Sequence, residues 1–140
     1  MIFKPNEDTL KNIGTTEQRQ VWAKALRSDN YEQHRSAMCD PTKKGSACCL
    51  HVAAIELDGI EWEDGFTMSP RGDLPLAHGT PDDLSVSAPF AMAAVVKDDC
   101  MHDENGIPYS FMEMNDGFLF TFDQIADIIE GKEVNCRNIK

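Results

Sequence analysis

The chain has 140 residues, a formal net charge of −11, 41% hydrophobic residues and 26% charged residues. This length suits a single domain that buries roughly two-thirds of its unfolded surface. The hydrophobic and charged fractions are ordinary for a globular protein, which excludes a disordered chain. No apolar run approaches the ~18 residues of a membrane-spanning helix, and the first ten residues lack the apolar centre of a secretion signal. We therefore expect a globular protein of the cytoplasm that does not enter a membrane.

The first predicted elements are an irregular arm over residues 1–14 and a helix that begins at Thr15. Thr15 and Gln18 match a capping box, in which each side chain accepts a hydrogen bond from a backbone N–H of the first turn. Apolar residues then recur at one-and-four spacing, which predicts one buried face. The turn-forming run over residues 28–30 is expected to end the helix.

A second helix is predicted after a loop over residues 40–46. Ser46 is the expected N-cap, the helix runs over residues 47–55, and Gly59 suits the left-handed turn that follows a helix. Residues 31–38 have no clear period, so an extended segment and a short helix both remain open.

The middle of the chain gives weaker signals. Residues 61–81 are rich in Gly, Pro and Asp, which predicts a long surface segment with a short strand at 66–68. Two patterns for a helix start compete, at residues 80–83 and at residues 87–89. Residues 97–108 are predicted to be an acidic turn region, in which residues 103–106 are similar to a fragment of a calcium loop.

The last third predicts a strand over residues 109–114, a turn at Asn115-Asp116-Gly117 and a final helix. That helix begins with a second capping box, Thr121 with Gln124, and ends at Gly131. Residues 132–140 are a tail. The fold class that results is α+β, with a single small domain over residues 15–131 that has three or four short helices and a small antiparallel sheet.

Several short motifs occur in a fixed order along the chain. They are Trp22-Ala23-Lys24-Ala25-Leu26-Arg27-Ser28, Tyr31-x-Gln33, Cys48-Cys49-Leu50-x-Val52, Met114-Asn115-Asp116 and the run from Phe120 to Glu130. In this order they resemble an uncharacterised family of small accessory proteins of tailed bacteriophages. The resemblance covers residues 20–56 and 112–131, and His51 departs from it because glycine is usual there. It implies a phage origin and a role in binding a host or defence factor, without a mechanism.

The five cysteines are odd in number, and Cys48 and Cys49 are adjacent, which favours free thiols in a reducing compartment. Cys39, Cys48, Cys49 and His51 carry zinc-ligand atoms but lack a Cys-x-x-Cys pair. A thiol in the first turn of a helix also suits a nucleophile. We expect no metal and no other cofactor, and the lack of a catalytic motif favours a protein that is not an enzyme.

Basic, aromatic and amide groups are concentrated in the first third of the chain. Residues 1–48 carry eight basic and six acidic side chains, whereas residues 49–140 carry five basic and eighteen acidic ones. Such groups suit an anionic ligand, because they supply charge, stacking and hydrogen bonds. The predicted ligand-binding residues are Arg27, Tyr31, Gln33, Arg35, Lys43, Lys44, Asn115 and Asp116.

The leading hypothesis is a non-enzymatic phage accessory protein that binds and inhibits a host or defence factor, or that sequesters a small anionic signalling molecule. The alternatives are a small cysteine-dependent enzyme and an acidic protein that mimics DNA. The expected partner is a host protein or a small anionic ligand, and a homo-oligomer stays open. Duplex nucleic acid is not an expected partner, because the acidic part of the chain repels phosphates.

Overall fold

A computed structural model describes residues 1–35, 45–59, 89–117 and 120–135. It shows a small α+β domain with an antiparallel sheet, which confirms the fold class predicted from the sequence. The helices are α1 (Glu7–Leu10), α2 (Thr16–Arg27), α3 (Cys49–Asp58), α4 (Pro89–Val95) and α5 (Phe122–Ile129), with a π-helical turn over Glu113–Gly117. The strands are β1 (Ile2–Pro5), β2 (Glu32–Gln33), β3 (Ser46–Ala47), β4 (Met101–His102), β5 (Pro108–Tyr109) and β6 (Val134–Asn135).

Four strands form the antiparallel sheet in the order β5-β4-β1-β6. Lys4 lies opposite His102, and Phe3 lies opposite Val134. Residues 1–14, predicted to be irregular, therefore supply an inner strand of the sheet and a short helix. The local sequence does not show this, because the strands that pair with β1 lie in the last third of the chain.

The capping boxes predicted for α2 and α5 are both present. Thr15 Oγ1 accepts from Gln18 N–H at 3.1 Å, and Gln18 Oε1 accepts from Thr15 N–H at 2.9 Å. Thr121 and Gln124 repeat the arrangement at the start of α5, at 3.2 and 2.9 Å. Each box satisfies two N–H groups that have no partner within the helix, which fixes where the helix begins.

The start of α3 differs from the prediction. Ser46 was expected to cap the helix, but Ser46 and Ala47 form β3, which pairs in parallel with β2. Cys48 takes the N-cap position instead. Because the pairing of Gln33 with Ala47 holds the residue after Ser46 in a strand, the helix begins only at Cys49. The predicted stop is confirmed, since Gly59 has the left-handed φ of 70°.

A side chain joins the end of α3 to the start of α4. Asp58 Oδ1 accepts from Phe90 N–H at 2.8 Å, and Asp58 Oδ2 accepts from Ala91 N–H at 3.0 Å. Two N–H groups of the first turn of α4 are satisfied in this way. α4 begins at Pro89, as one of the two competing patterns predicts. The pattern at 80–83 and the strand predicted at 66–68 lie outside the described residues.

The core is centred on Trp22, which is fully buried. Its ring makes edge contacts with Phe111 and Phe90, with ring centroids 4.9 and 5.6 Å away. Trp22 Nε1 donates to the carbonyl oxygen of Cys49 at 2.9 Å, so the indole N–H keeps a partner inside the core. This side chain therefore fixes α2 against the first turn of α3. None of the helices in the described ranges has the length and hydropathy needed to cross a membrane.

Candidate functional site

A polar cluster lies beside the π-helical turn, and we name it the Asn115 cluster: it comprises Gln33, Arg35, Asn115 and Asp116. Asn115 is at its centre, with only 1% of its surface exposed. Its Oδ1 accepts from Gln33 Nε2 at 2.9 Å and from Cys49 N–H at 3.3 Å. Its Nδ2 donates to the carbonyl of His34 at 2.8 Å and to Asp116 Oδ1 at 2.7 Å. One amide thus connects β2, α3 and the π-helical turn.

The position of Asn115 corrects two predictions. The strand predicted over residues 109–114 stops at Tyr109, and the chain is already helical at Phe111. The predicted turn at residues 115–117 is the end of a π-helical turn. The wider π-helical backbone places Asn115 inward, toward partners more than sixty residues earlier in the chain. Such turns are frequent at functional sites.

Two other members of the cluster, Gln33 and Arg35, donate to backbone carbonyl groups. Gln33 Nε2 also donates to the carbonyl of Phe120 at 2.7 Å. Arg35 Nη1 donates to the carbonyl of Asn115 and, at 3.2 Å, to that of Phe120. Arg35 Nη2 donates to Gln33 Oε1 at 3.4 Å. These donors satisfy the carbonyl oxygens of Asn115 and Phe120. Their first role is therefore to stabilise the fold between the π-helical turn and the start of α5.

The remaining predicted ligand-binding residues lie elsewhere or outside the described residues. The Arg27 guanidinium bonds to Asp127 and, at 2.6 Å, to Glu130, so it joins α2 to α5. The Tyr31 hydroxyl donates to Glu56 Oε2 at 2.7 Å. Burial raises the pKa of Tyr31, and the hydrogen bond to Glu56 raises it further. Lys43 and Lys44 are not among the described residues.

The thiols of Cys48, Cys49 and Cys100 are free and buried, which confirms the prediction of free thiols for these three. Burial raises the pKa of Cys49 well above its usual value, and the neighbouring Cys48 adds to the effect. Burial likewise raises the pKa of Cys100 to about 12, with a further contribution from Asp99. A thiol nucleophile needs the opposite shift and access to solvent. The three thiols therefore act as small apolar core groups.

No group of three or more His, Cys, Asp or Glu side chains within the described ranges has an arrangement that holds a metal ion. In the stretch similar to a calcium loop, the Asp103 carboxylate accepts from the N–H groups of Asn105 at 2.8 Å and Ile107 at 3.0 Å, and from the Tyr109 hydroxyl at 2.9 Å. Burial alone would raise the pKa of Asp103, but the hydrogen bonds outweigh it and lower the pKa. This carboxylate closes the loop between β4 and β5.

The model of a protein family described as Domain of unknown function (DUF8296) matches residues 15–133. The chain belongs to this family. The match includes the Asn115 cluster and runs through the middle segment, which the resemblance to phage accessory proteins leaves uncovered. Searches of curated proteins and of solved structures found no match.

This member of the DUF8296 family also has a cavity that sequence reasoning missed. It lies between α1, the first turns of α2 and the end of α5, has a volume of about 590 Å³, and we name it the α1–α5 cavity. Leu10 and Ile129, each only 4% exposed, form part of its lining. Charged groups of both signs line it as well, among them Glu7, Arg19 and Lys132. No local sequence pattern indicates this cavity, because its first wall is α1, which lies within the arm predicted to be irregular.

Proposed function

We propose that this domain is a non-catalytic accessory protein, encoded by a bacteriophage, that binds and inhibits a protein of the host cell or of its defences. The observation that carries the proposal is the excess of acidic side chains. The described residues include seventeen acidic and only eight basic side chains. An acidic surface of this kind attracts a partner with a basic surface and speeds their encounter.

The thiols support a binding protein over the cysteine-dependent enzyme. Cys48 and Cys49, the two candidate nucleophiles, are buried, and the pKa of Cys49 is raised. Thiol chemistry at neutral pH requires a thiolate that the substrate can reach. A Cys49 thiol that stays protonated in the core supplies neither the charge nor the access.

The contacts of the arginines favour a protein partner over a small anion. Arg27 already pairs with two carboxylates, Asp127 and Glu130, so its charge is compensated. Arg35 donates to carbonyl oxygens of the fold. A phosphate-bearing ligand would have to break these bonds before the guanidinium groups became available to it. The double variant Arg27→Ala, Arg35→Ala tests this option, since it abolishes anion binding if the predicted residues form the site.

The acidic excess also favours a second candidate function, mimicry of DNA. A carboxylate-covered surface occupies the basic channel of a nucleic-acid-binding protein in place of phosphates. The two functions differ in one outcome, because a DNA mimic displaces duplex DNA from its partner and an inhibitor that binds elsewhere does not.

The test is capture of partners by the tagged, full-length protein from bacterial lysate, followed by binding measurements with the purified partner. We expect a basic partner whose affinity falls about tenfold or more between about 50 mM and about 300 mM salt, because charge attraction is screened. Competition with duplex DNA then separates the two candidates. An affinity that does not change with salt would refute the proposal. So would a small molecule that co-purifies in native mass spectrometry with no captured protein.

A further inference from the structure

We infer that the α1–α5 cavity receives an arginine or lysine side chain of a basic protein partner, with Glu7 as the carboxylate that binds its charge. This inference rests on the proposed function, since it names the contact that a basic partner makes. Three observations support it: the shape and lining of the cavity, the surroundings of Glu7, and the contacts that already occupy the cations of the cavity wall.

The cavity fits a long side chain with a charged end. Its volume of about 590 Å³ lies within the range of about 300–1,000 Å³ that is usual for ligand pockets. Leu10 and Ile129 offer apolar contact for the methylene groups of an arginine or lysine, whose charged head can then reach a polar group at the rim.

Glu7 is an exposed acidic side chain in the lining of the cavity. Its Oε1 is 3.3 Å from the position of a Cβ at Gly131, so the carboxylate lies against the residue that follows the C-cap of α5. The C-terminal end of a helix carries partial negative charge on its carbonyl groups. Within the part of the chain that the structure describes, the Glu7 side chain makes no hydrogen bond and no ion pair. A cation at this point gains attraction from both the carboxylate and the helix end.

The cations of the cavity wall already have partners. Lys11 pairs with Asp8 at 3.5 Å, and Lys132 pairs with Glu130 at 3.5 Å. Arg19 donates to two carbonyl oxygens of the loop before α2, at 2.9 and 3.2 Å. None of the three is bonded to the Glu7 carboxylate, which leaves that carboxylate available to a cation from a partner.

A competing reading is that Glu7 only stabilises the N-terminus of α1, where an acidic residue is favourable. Glu17 provides a matched control, because it is exposed and stands in the first turn of α2 but does not line the cavity. Replacing either residue by glutamine removes one charge from a first helical turn. Only the change at Glu7 removes a charge from the cavity.

The experiment is an NMR titration of the full-length protein with L-arginine amide at low ionic strength, with glycine amide as the control compound. We expect saturable shift changes at α1 and at residues 129–132 with L-arginine amide. Glu7→Gln should weaken binding about three- to fivefold, which is the range of a partly exposed ion pair, while Glu17→Gln leaves it unchanged. Equal affinity in the two variants, shift changes elsewhere, or no saturation would overturn the inference.

Binding of the captured partner separates failure of this inference from failure of the proposed function. If the partner binds and the two variants weaken binding equally or not at all, the cavity inference is wrong and the proposed function stands. If no partner binds, the proposed function fails, and the titration with L-arginine amide decides the cavity inference alone. Urea unfolding of both variants confirms that each is folded.

Discussion

Replacing Asn115 by alanine should destabilise the domain more than most single substitutions, because it removes the amide that connects three parts of the fold. Four hydrogen bonds are lost. Gln33 keeps the carbonyl of Phe120 as a partner. The N–H of Cys49 and the carbonyl of His34 lose their bonds to the amide, and Cys49 is fully buried. At about 1–3 kcal/mol for each such group, we expect a loss of about 3–5 kcal/mol.

This loss is a large part of the free energy of unfolding of a small domain, which is about 5–15 kcal/mol. Urea unfolding followed by circular dichroism measures it, and an unchanged m-value shows that the comparison is valid. Asn105→Ala is the control, because Asn105 is an exposed asparagine in a turn and its loss should stay within about 0.5 kcal/mol. If Asn115→Ala costs no more than this control, the role assigned to the amide is refuted.

Three further predictions concern the thiols, the β4–β5 loop and the α2–α5 ion pairs. Iodoacetamide should modify Cys49 and Cys100 at least about tenfold more slowly in the folded protein than in urea, as read by peptide mass spectrometry, and equal rates would contradict their burial. The pKa of Asp103 is lower in the folded protein than in the unfolded chain, where it is about 3.9. The ionised carboxylate therefore stabilises the domain at pH values above about 3.9, and this stabilisation is lost as the pH falls through the folded-state pKa. Asp103→Asn should therefore be less stable than wild type at neutral pH, with a difference that narrows below about pH 4; a constant difference would argue against it. Arg27→Met should lower the free energy of unfolding by about 1 kcal/mol or less, and this loss should become smaller in about 1 M salt, which screens the ion pairs. A loss that grows with salt would exclude an electrostatic role.

Signals within a few residues predict the structure well in this chain. Thr15 and Thr121 begin helices because each finds its capping partner three residues later. Gly59 ends a helix because its missing Cβ permits the left-handed backbone. All three positions are read correctly from the sequence, since the atoms that decide them belong to the same turn of chain.

Predictions fail where the deciding partner is distant. β1 has only four residues, and it becomes a strand because β4 and β6 pair with its two edges. Ser46 has the composition of an N-cap, yet the pairing of β3 with β2 draws it into a strand. Such pairings carry no local pattern, so single-sequence reasoning reads the arm as irregular and the serine as a cap.

The candidate site is likewise predicted only in part from the sequence. Eight ligand-binding residues are predicted from the sequence, and the structure brings four of them together in the Asn115 cluster, namely Gln33, Arg35, Asn115 and Asp116. No local pattern indicates that Gln33 and Arg35 donate to backbone carbonyl groups, because that depends on the π-helical turn. The binding role of these residues stays a prediction. The α1–α5 cavity requires the packing of α1 against the end of α5, which no local pattern reports.

The two hydrogen bonds of the Asp58 carboxylate join helices that are distant in the chain. They reach the N–H groups of Phe90 and Ala91, which come 32 and 33 residues later. The entropy of bringing two such residues together grows only with the logarithm of their separation, about 0.6 kcal/mol for each doubling. These two bonds therefore offset a closure cost that depends only weakly on how many residues separate α3 from α4.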